Sequence, residues 1–297
     1  MMQKEKTICA LGFFDGVHLG HQALLAACRE LAAQLGCKAG AVTFDVHPES
    51  LVAGKAPQLL TSVQDRSRLL LDIGLLQALQ VLPFDEQLRK QHWRSFLESL
   101  LELGAAGFVC GDDFRFGYRG EGNAALLAGF CREKGLPWAI VPGQDLDGAR
   151  ISSTRIRLLL EQGQIAQATR LLGHRHTLSG TVVPGRGLGH TIGIPTANLQ
   201  VPEGILLPKS GVYACQALAE GKLYPAVTNI GSRPTVKGSH VTVEPWLLDF
   251  QGDLYGKTVT LSFHEYLRPE EKFPSLEELK AQILKDAAKT RALLSQN

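Results

Sequence analysis

The sequence predicts two units: an α/β first half built on a parallel sheet covered by helices, then an antiparallel β-barrel with a terminal helix. Three observations carry this. The chain has 297 residues, and single cores usually stop growing near about 250. Up to about Gly173, short apolar runs alternate with helical patterns, the rhythm of strand-helix-strand units with right-handed crossovers. Beyond it, β-branched and aromatic runs follow one another across Gly-containing turns. The boundary is expected within LLGHRHTLSG, separating residues 1–174 from 175–297.

In the first half, TICALGFF reads as a buried strand. HQALLAACRELAAQLG places Leu24, Cys28, Leu31 and Leu35 on one helical face and ends at Gly36, a C-cap. AGAVTF, ALQVLPF, GFVCG and PWAIVPG are four further short apolar runs, with helices near VQDRSRLLLDIG, WRSFLESLLELG and AALLAGFCREKG. In the second half HTLSGTVVPG, SGVYACQALAEGKLYPAVTNIG, HVTVEPWLLDF and KTVTLSFHEYL read as barrel strands. The terminal helix opens with a Ser275/Glu278 capping box and carries Leu276, Leu279 and Ile283 as an apolar stripe.

Composition narrows the function classes. With 44% hydrophobic and 20% charged residues and a net charge of +2, the chain reads as an ordinary globular protein. Neither a nucleic-acid nor a membrane partner is expected: there is no charge excess, and no run approaches the ~18 apolar residues of a span. The barrel has no basic stripe or aromatic ladder of the kind single-strand binders use. Cys9, Cys28, Cys37, Cys110, Cys131 and Cys215 stand singly, without zinc spacing, as reduced thiols of a cytoplasmic protein would. MMQKEKTICALGFF is cut off by Asp15 and Gly16 and has no small-residue cleavage site, so no signal peptide is expected. The sequence sets no oligomeric state.

The first chemistry-bearing stretch is GFFDGVHLGHQ. Ligands of parallel sheets bind beyond the carboxyl ends of the strands. Gly12 and Gly16 allow a tight turn there, and the following helix offers N-H groups to an anion. His18 and His21, three apart, face one side and could reach one phosphate. No P-loop or dinucleotide fingerprint is present, and a zinc site would need a third ligand. A second helix start, ARISSTRIRLLLEQG, offers Ser152, Ser153 and Thr154 as caps, with Arg155 and Arg157 in or near its first turn, where a cation is unfavourable unless an anion is present.

The second stretch is VVPGRGLGHTIGIPTANL. Gly185, Gly187, Gly189 and Gly193 could cradle phosphates, and Thr196 and Asn198, alternate residues of an extended segment, share a face as oxygen ligands for Mg2+. Glu244 in HVTVEPWLLDF reads equally as a partly desolvated general base or as a solvent-facing residue beside Pro245, which suggests an edge or a break.

The motifs GFFDGVHLGHQ, TFDVHP, GDDFRFG and ISSTRIR, in this order, resemble the adenylyltransferase half of the bacterial bifunctional riboflavin kinase/FMN adenylyltransferase (FAD synthetase) family. GRGLGHTIGIPTAN, GVYA, TNIGSRPTV, VTVEPWLLDF and DLYGKTVTLSFHEYLRPEEKF resemble its riboflavin kinase half. The resemblance implies a Rossmann-like nucleotidyltransferase domain and a kinase barrel that use ATP and Mg2+ to take riboflavin to FMN and FMN to FAD. It further implies that Gly12, Phe14, Asp15, Gly16, His18, His21, Ser153, Thr154 and Arg157 bind ATP in the first domain, with His18, His21 and Arg157 catalytic. His47 and Asp113 would line its flavin side. In the barrel, Gly187, Gly189, Gly193, Thr196 and Asn198 would hold Mg-ATP, Glu244 would be the base, and Arg233 and Tyr255 would be orienting or structural residues. Val46 stands where the family often has proline, and His190 where a basic Arg or Lys is commoner.

Overall fold

The computed structural model describes residues 6–52, 57–185, 193–235 and 238–295. Its first half runs β1 (Thr7–Leu11), α1 (Leu19–Leu35), β2 (Lys38–Phe44), α2 (Pro48–Val52), α3 (Val63–Asp72), β3 (Ala78–Leu82), α4 (Glu86–Arg89) and α5 (Trp93–Glu102). Then come β4 (Ala105–Gly111), the short pair β5 (Arg115–Phe116) and β6 (Gly122–Asn123), α6 (Ala124–Lys134), β7 (Trp138–Val141), and the hairpin β8 (Asp145–Leu146) with β9 (Ala149–Arg150). Helices α7 (Ser153–Glu161) and α8 (Ile165–Leu172) lead into the barrel.

The five long strands form one parallel sheet in the order β3-β2-β1-β4-β7, as the alternating rhythm predicts. Consecutive residues of β1 feed opposite faces. Ile8 and Ala10 pack with Leu24, Leu25 and Cys28 of α1 and Leu69 and Leu70 of α3, whereas Cys9 and Leu11 pack with Phe96, Leu97 and Leu127. Strand β1 is therefore buried on both sides, which is why it reads as an unbroken apolar run. Helix α1 ends as expected on left-handed Gly36 (φ 63°). Its core face is turned from the expected one: Leu24, Leu25, Cys28 and Ala32 are buried while Leu35 is 49% exposed. Connections leave β1 for β2 on one side, and β4 flanks it on the other. A crevice at the carboxyl end of β1 is the expected ligand position in such a sheet.

The second half is a closed antiparallel barrel in the order β10-β11-β14-β13-β12-β15, from β10 (Thr177–Val183), β11 (Asn198–Gln200), β12 (Gly211–Ala219), β13 (Lys222–Thr235), β14 (Gly238–Leu247) and β15 (Thr258–Arg268). Closure removes the free edges that an open sheet would leave. The β12-β13 hairpin turns on Glu220 (φ 50°) and Gly221 (φ 76°), the double left-handed geometry that matches strand twist. Pro245 does not break β14. The strand runs through it, opposite Thr228 on β13, and the Pro245 carbonyl accepts from Ala197 N at 2.9 Å.

The C-terminal helix spans Leu276–Ser295, and Ser275 caps it, with Glu278 N donating to Ser275 Oγ at 3.2 Å while that hydroxyl, not the backbone N-H, meets the Glu278 carboxylate. Asp286, Ala287 and Thr290 are its buried residues, so the expected Leu276, Leu279 and Ile283 stripe faces something other than the core. Contacts divide the chain at Ser153/Thr154, with residues 60–62 joining the second unit. The reason lies in α7 and α8: Lys209 N donates to Leu160 O at 3.0 Å, and α8 packs on β15.

Candidate functional site

The loop that leaves β1 is shaped before any ligand arrives. Phe14 (φ 60°), Gly16 (79°) and Val17 (42°) are all left-handed, a conformation that costs side-chain-bearing residues of order 1–3 kcal/mol each. Burial offsets it, since Phe14 and Val17 are 1% and 0% exposed. The loop is tied at both ends: Thr43 Oγ1 donates to Phe13 O at 2.8 Å, and Ser153 Oγ to Asp15 O at 3.0 Å. Glycine is required at position 12, where a Cβ would stand 2.9 Å from the Phe14 ring.

His18 caps α1. Its Nδ1 accepts from His21 N at 3.3 Å, so in the neutral ring the proton sits on Nε2. The two imidazoles are stacked, with centroids 3.6 Å apart and planes 12° apart, and Phe14 meets His21 edge-on at 5.3 Å. Burial, reinforced by His18, pushes the His21 pKa well below the ordinary histidine range. His21 is therefore held as a neutral imidazole beside the His18 cap, and two rings at a helix N-terminus are an arrangement suited to phosphate oxygens. Among the described residues no group of three or more His, Cys, Asp or Glu could hold a metal ion.

Gly12, Phe14, Asp15, Gly16, His18, His21 and Ser153 thus belong to one neighbourhood. Thr154 and Arg157 follow Ser153 in α7 but are counted with the second unit. Of the flavin-side residues, His47 lies at the end of β2 with its ring 4.6 Å from Phe13, and its Nδ1 accepts from Glu49 N at 3.2 Å. Asp113 follows β4 and is exposed; Arg150 bridges it at 3.1 Å and Asp112 at 2.8 Å.

In the barrel two cavities lie on either side of the PTAN segment. The larger, of about 350 Å3, is lined on its apolar side by Val212, Val227, Trp246, Phe273, Leu279 and Ile283. The helix stripe that does not face the core therefore faces this cavity. Glu244 also lines it, directly opposite Asn229 across the β13-β14 ladder, and Asn229 Nδ2 donates to Glu270 Oε1 at 3.2 Å. The smaller cavity, of about 280 Å3, is lined by Pro195, Ala197, Phe250, Leu254 and the 58% exposed Tyr255. Thr196 lines both. Asn198 lies against Gly185, where a Cβ would collide with its amide. Gly193 is left-handed (φ 75°) and Arg233 lies in β13. Gly187, Gly189 and His190 lie outside the described residues.

Sequence reasoning missed Asn229, which the strand register sets opposite Glu244, Glu270, which Asn229 holds at the same cavity, and Arg66 of α3. A signal for Arg66 exists: it falls on the same helical stripe as Leu69 and Leu70, where a cation is out of place.

Comparison with known proteins follows the same division. The FAD synthetase family model matches residues 1–155 and the riboflavin kinase family model residues 172–294. A bifunctional riboflavin kinase/FMN adenylyltransferase of Listeria monocytogenes is 35% identical over 97% of this chain and 92% of its own. Its namesake in Escherichia coli K12 is 39% identical over 97% and 93%. A Streptococcus pneumoniae chain solved as a macrolide-efflux protein superposes with a TM-score of 0.86 at 29% identity, over 97% of this chain and 95% of that one. Among the described residues no helix is long and apolar enough to cross a membrane.

Proposed function

As a member of the bacterial bifunctional riboflavin kinase/FMN adenylyltransferase family, the chain phosphorylates riboflavin to FMN and adenylylates FMN to FAD, and we propose that FAD forms at the loop after β1 and FMN at the two barrel cavities. One observation carries this division. The FAD synthetase match covers the stacked histidines, and the riboflavin kinase match covers both cavities.

In adenylyl transfer an oxygen of the FMN phosphate attacks the α-phosphorus of ATP and pyrophosphate leaves, so no covalent enzyme intermediate is needed. What the protein supplies is alignment and relief of charge growing on the phosphates. His18 and His21 donate N-H groups from the start of α1, with Gly12, Phe14, Asp15 and Gly16 shaping the loop around the nucleotide. Ser153, Thr154 and Arg157 serve as further phosphate ligands, Arg157 as the cation. His47 and Asp113 take the flavin side.

In the kinase step the apolar lining of the larger cavity, Trp246 and Phe273 included, takes the flavin rings, and the smaller cavity takes the nucleotide. That Thr196 is on both walls supports reading it as the group between the γ-phosphate and the ribityl chain. Glu244 accepts the proton of the 5'-hydroxyl as that oxygen attacks the γ-phosphorus and ADP departs. The Thr196 hydroxyl and the Asn198 amide oxygen are hard, neutral donors that fit a divalent cation arriving with its charge already shared by phosphates. We read that cation as Mg2+; bound there it would neutralise charge on the transferred phosphoryl group. Gly187, Gly189 and Gly193 are assigned to the phosphates of the nucleotide, and Arg233 and Tyr255 to orienting or structural roles.

The partners are small molecules: riboflavin, FMN and ATP, with no nucleic acid or membrane. Six free cysteines, five of them buried, suit a reducing cytoplasm. The test is incubation with riboflavin, ATP and Mg2+, resolving flavins over time. FMN should rise first and FAD follow; FMN that accumulates without FAD would remove the first site from the reading.

A further inference from the structure

Arg66 is the largest fully buried side chain among the described residues, at 0% exposure. It lies on the inward stripe of α3 with Leu69 and Leu70, and in the first-half unit together with the β1 loop. One Nη donates to Phe44 O, the last residue of β2, and the guanidinium carbon lies 4.1 Å over the Phe13 ring. Asp15 and Asp45 are the opposite charges that act on it. Its Nε and other Nη have no hydrogen-bond partner among the described residues. Burial lowers its pKa to about 10, so it remains a cation at neutral pH.

Packing alone does not explain such a residue. Burying a charge is costly unless its position is used, and an apolar side chain of similar length would fill the space at less cost. What the guanidinium joins is informative. Phe13 and Asp15 belong to the loop carrying His18, whereas Phe44 ends β2 and Asp45 opens the loop carrying His47. The Phe13 ring in turn meets the His47 ring edge-on. Asp45 in turn is fixed by Val46 N and Phe84 N, both donating to its Oδ1 at 2.8 Å.

We infer that Arg66 is a positioning residue for adenylyl transfer: it clamps the loops after β1 and β2 in one mutual arrangement, so that the histidines at the nucleotide and the flavin-side loop are set by the same cation. It touches no reacting atom; it acts through Phe13, Asp15 and the Phe44-Asp45 backbone. This rests on the assignment of FAD formation to the β1 loop. Misplacing a reacting group by about 1 Å can cost on the order of 100-fold in rate, so loosening the clamp reads as a loss of kcat.

The experiment compares the full chain with Arg66→Met, which keeps length and volume, and with Arg66→Lys, which keeps charge but cannot lie flat on Phe13 while donating to Phe44 O. Three quantities are measured: kcat for FMN to FAD, the number of adenylyltransferase ATP sites per chain by calorimetry with the barrel's nucleotide site counted separately, and the riboflavin to FMN rate. The expected result is full ATP stoichiometry in both variants, kcat at least about tenfold lower in Arg66→Met with an intermediate Arg66→Lys, and an unchanged kinase rate. The inference is overturned if Arg66→Met keeps the wild-type kcat, if Arg66→Lys matches wild type, or if the lost activity equals the lost ATP sites, as it would for a residue that only holds the fold. Failure of the unaltered chain to convert FMN to FAD would overturn the site assignment instead.

Discussion

Arg268, the last residue of β15, holds Asp286 of the C-terminal helix by two hydrogen bonds, from Nε at 3.0 Å and Nη2 at 2.9 Å, both to Oδ2. The pair is largely buried, with side chains 14% and 6% exposed, and Gln282 Nε2 completes the carboxylate by donating to Oδ1 at 3.0 Å. Both residues line the larger barrel cavity, so the bridge fixes the helix that forms one wall of it.

Removing one partner of such a pair leaves the other charge buried, which typically costs about 3 kcal/mol or more. Arg268→Ala is therefore expected to lower the denaturant midpoint and to raise KM for riboflavin several-fold through a displaced Leu279 and Ile283 wall. Urea titration with kinase kinetics checks both. Unchanged KM in a folded Arg268→Ala would mean that the helix does not shape the flavin site.

The two activities should separate by mutation. His21→Ala removes one neutral donor and the stacking partner of His18, and FMN adenylylation should fall about 100-fold or more. Riboflavin phosphorylation should continue, so FMN accumulates. Glu244→Gln should lower phosphorylation about 100- to 10,000-fold while supplied FMN still becomes FAD. Loss of both activities in either variant contradicts the two-site division.

His176 and His264 predict acid lability. Burial, aided by His174, pushes His176 down to about 3; burial, aided by Arg175, pushes His264 down to about 4. An unfolded histidine titrates near about 6.5, so between these values the unfolded chain binds the more protons. Stability that is fully present above pH about 6.5 is thus lost as pH falls toward 4, with a slope up to about 1.4 kcal/mol per pH unit from a buried group. Urea midpoints of wild type and His176→Gln between pH 7 and 4 are the check. The slope should be shallower in the variant, and equal slopes would clear His176 of the effect.

What the sequence made legible was local. His18 and His21 sit three apart at one helix start, so spacing alone set them side by side, and Thr196 and Asn198 belong to one extended segment. Glu244 was ambiguous because its neighbours depend on register: Asn229 is fifteen positions away in sequence yet directly opposite in the ladder. Pro245 suggested a break because it lacks an N-H, but its carbonyl, not its nitrogen, carries the link to Ala197. The Leu276-Leu279-Ile283 stripe was correct as a pattern and turned out to line a cavity, since periodicity cannot distinguish a core from a binding wall. Arg66 shows in the sequence only as a cation on an apolar stripe; its partners Phe13 and Phe44 lie 53 and 22 positions away and come from tertiary structure.

Gly20 separates stability from activity. It is the second residue of α1, where Ala is the better helix former by up to about 1 kcal/mol. Yet a Cβ there would lie 3.2 Å from His18 Cε1 and 3.3 Å from its Nδ1, tighter than a carbon normally approaches. Its nearest backbone neighbour, Ile151 O, is 4.0 Å away, so the ring and not the helix has to yield. Displacing His18 disturbs the cap to His21 N and the 3.6 Å stack together. Gly20→Ala should therefore keep or slightly raise the thermal midpoint while FMN adenylylation falls about tenfold or more, with riboflavin phosphorylation unchanged. Full FAD synthesis in Gly20→Ala would show that the close stacking of the two imidazoles is incidental to the reaction.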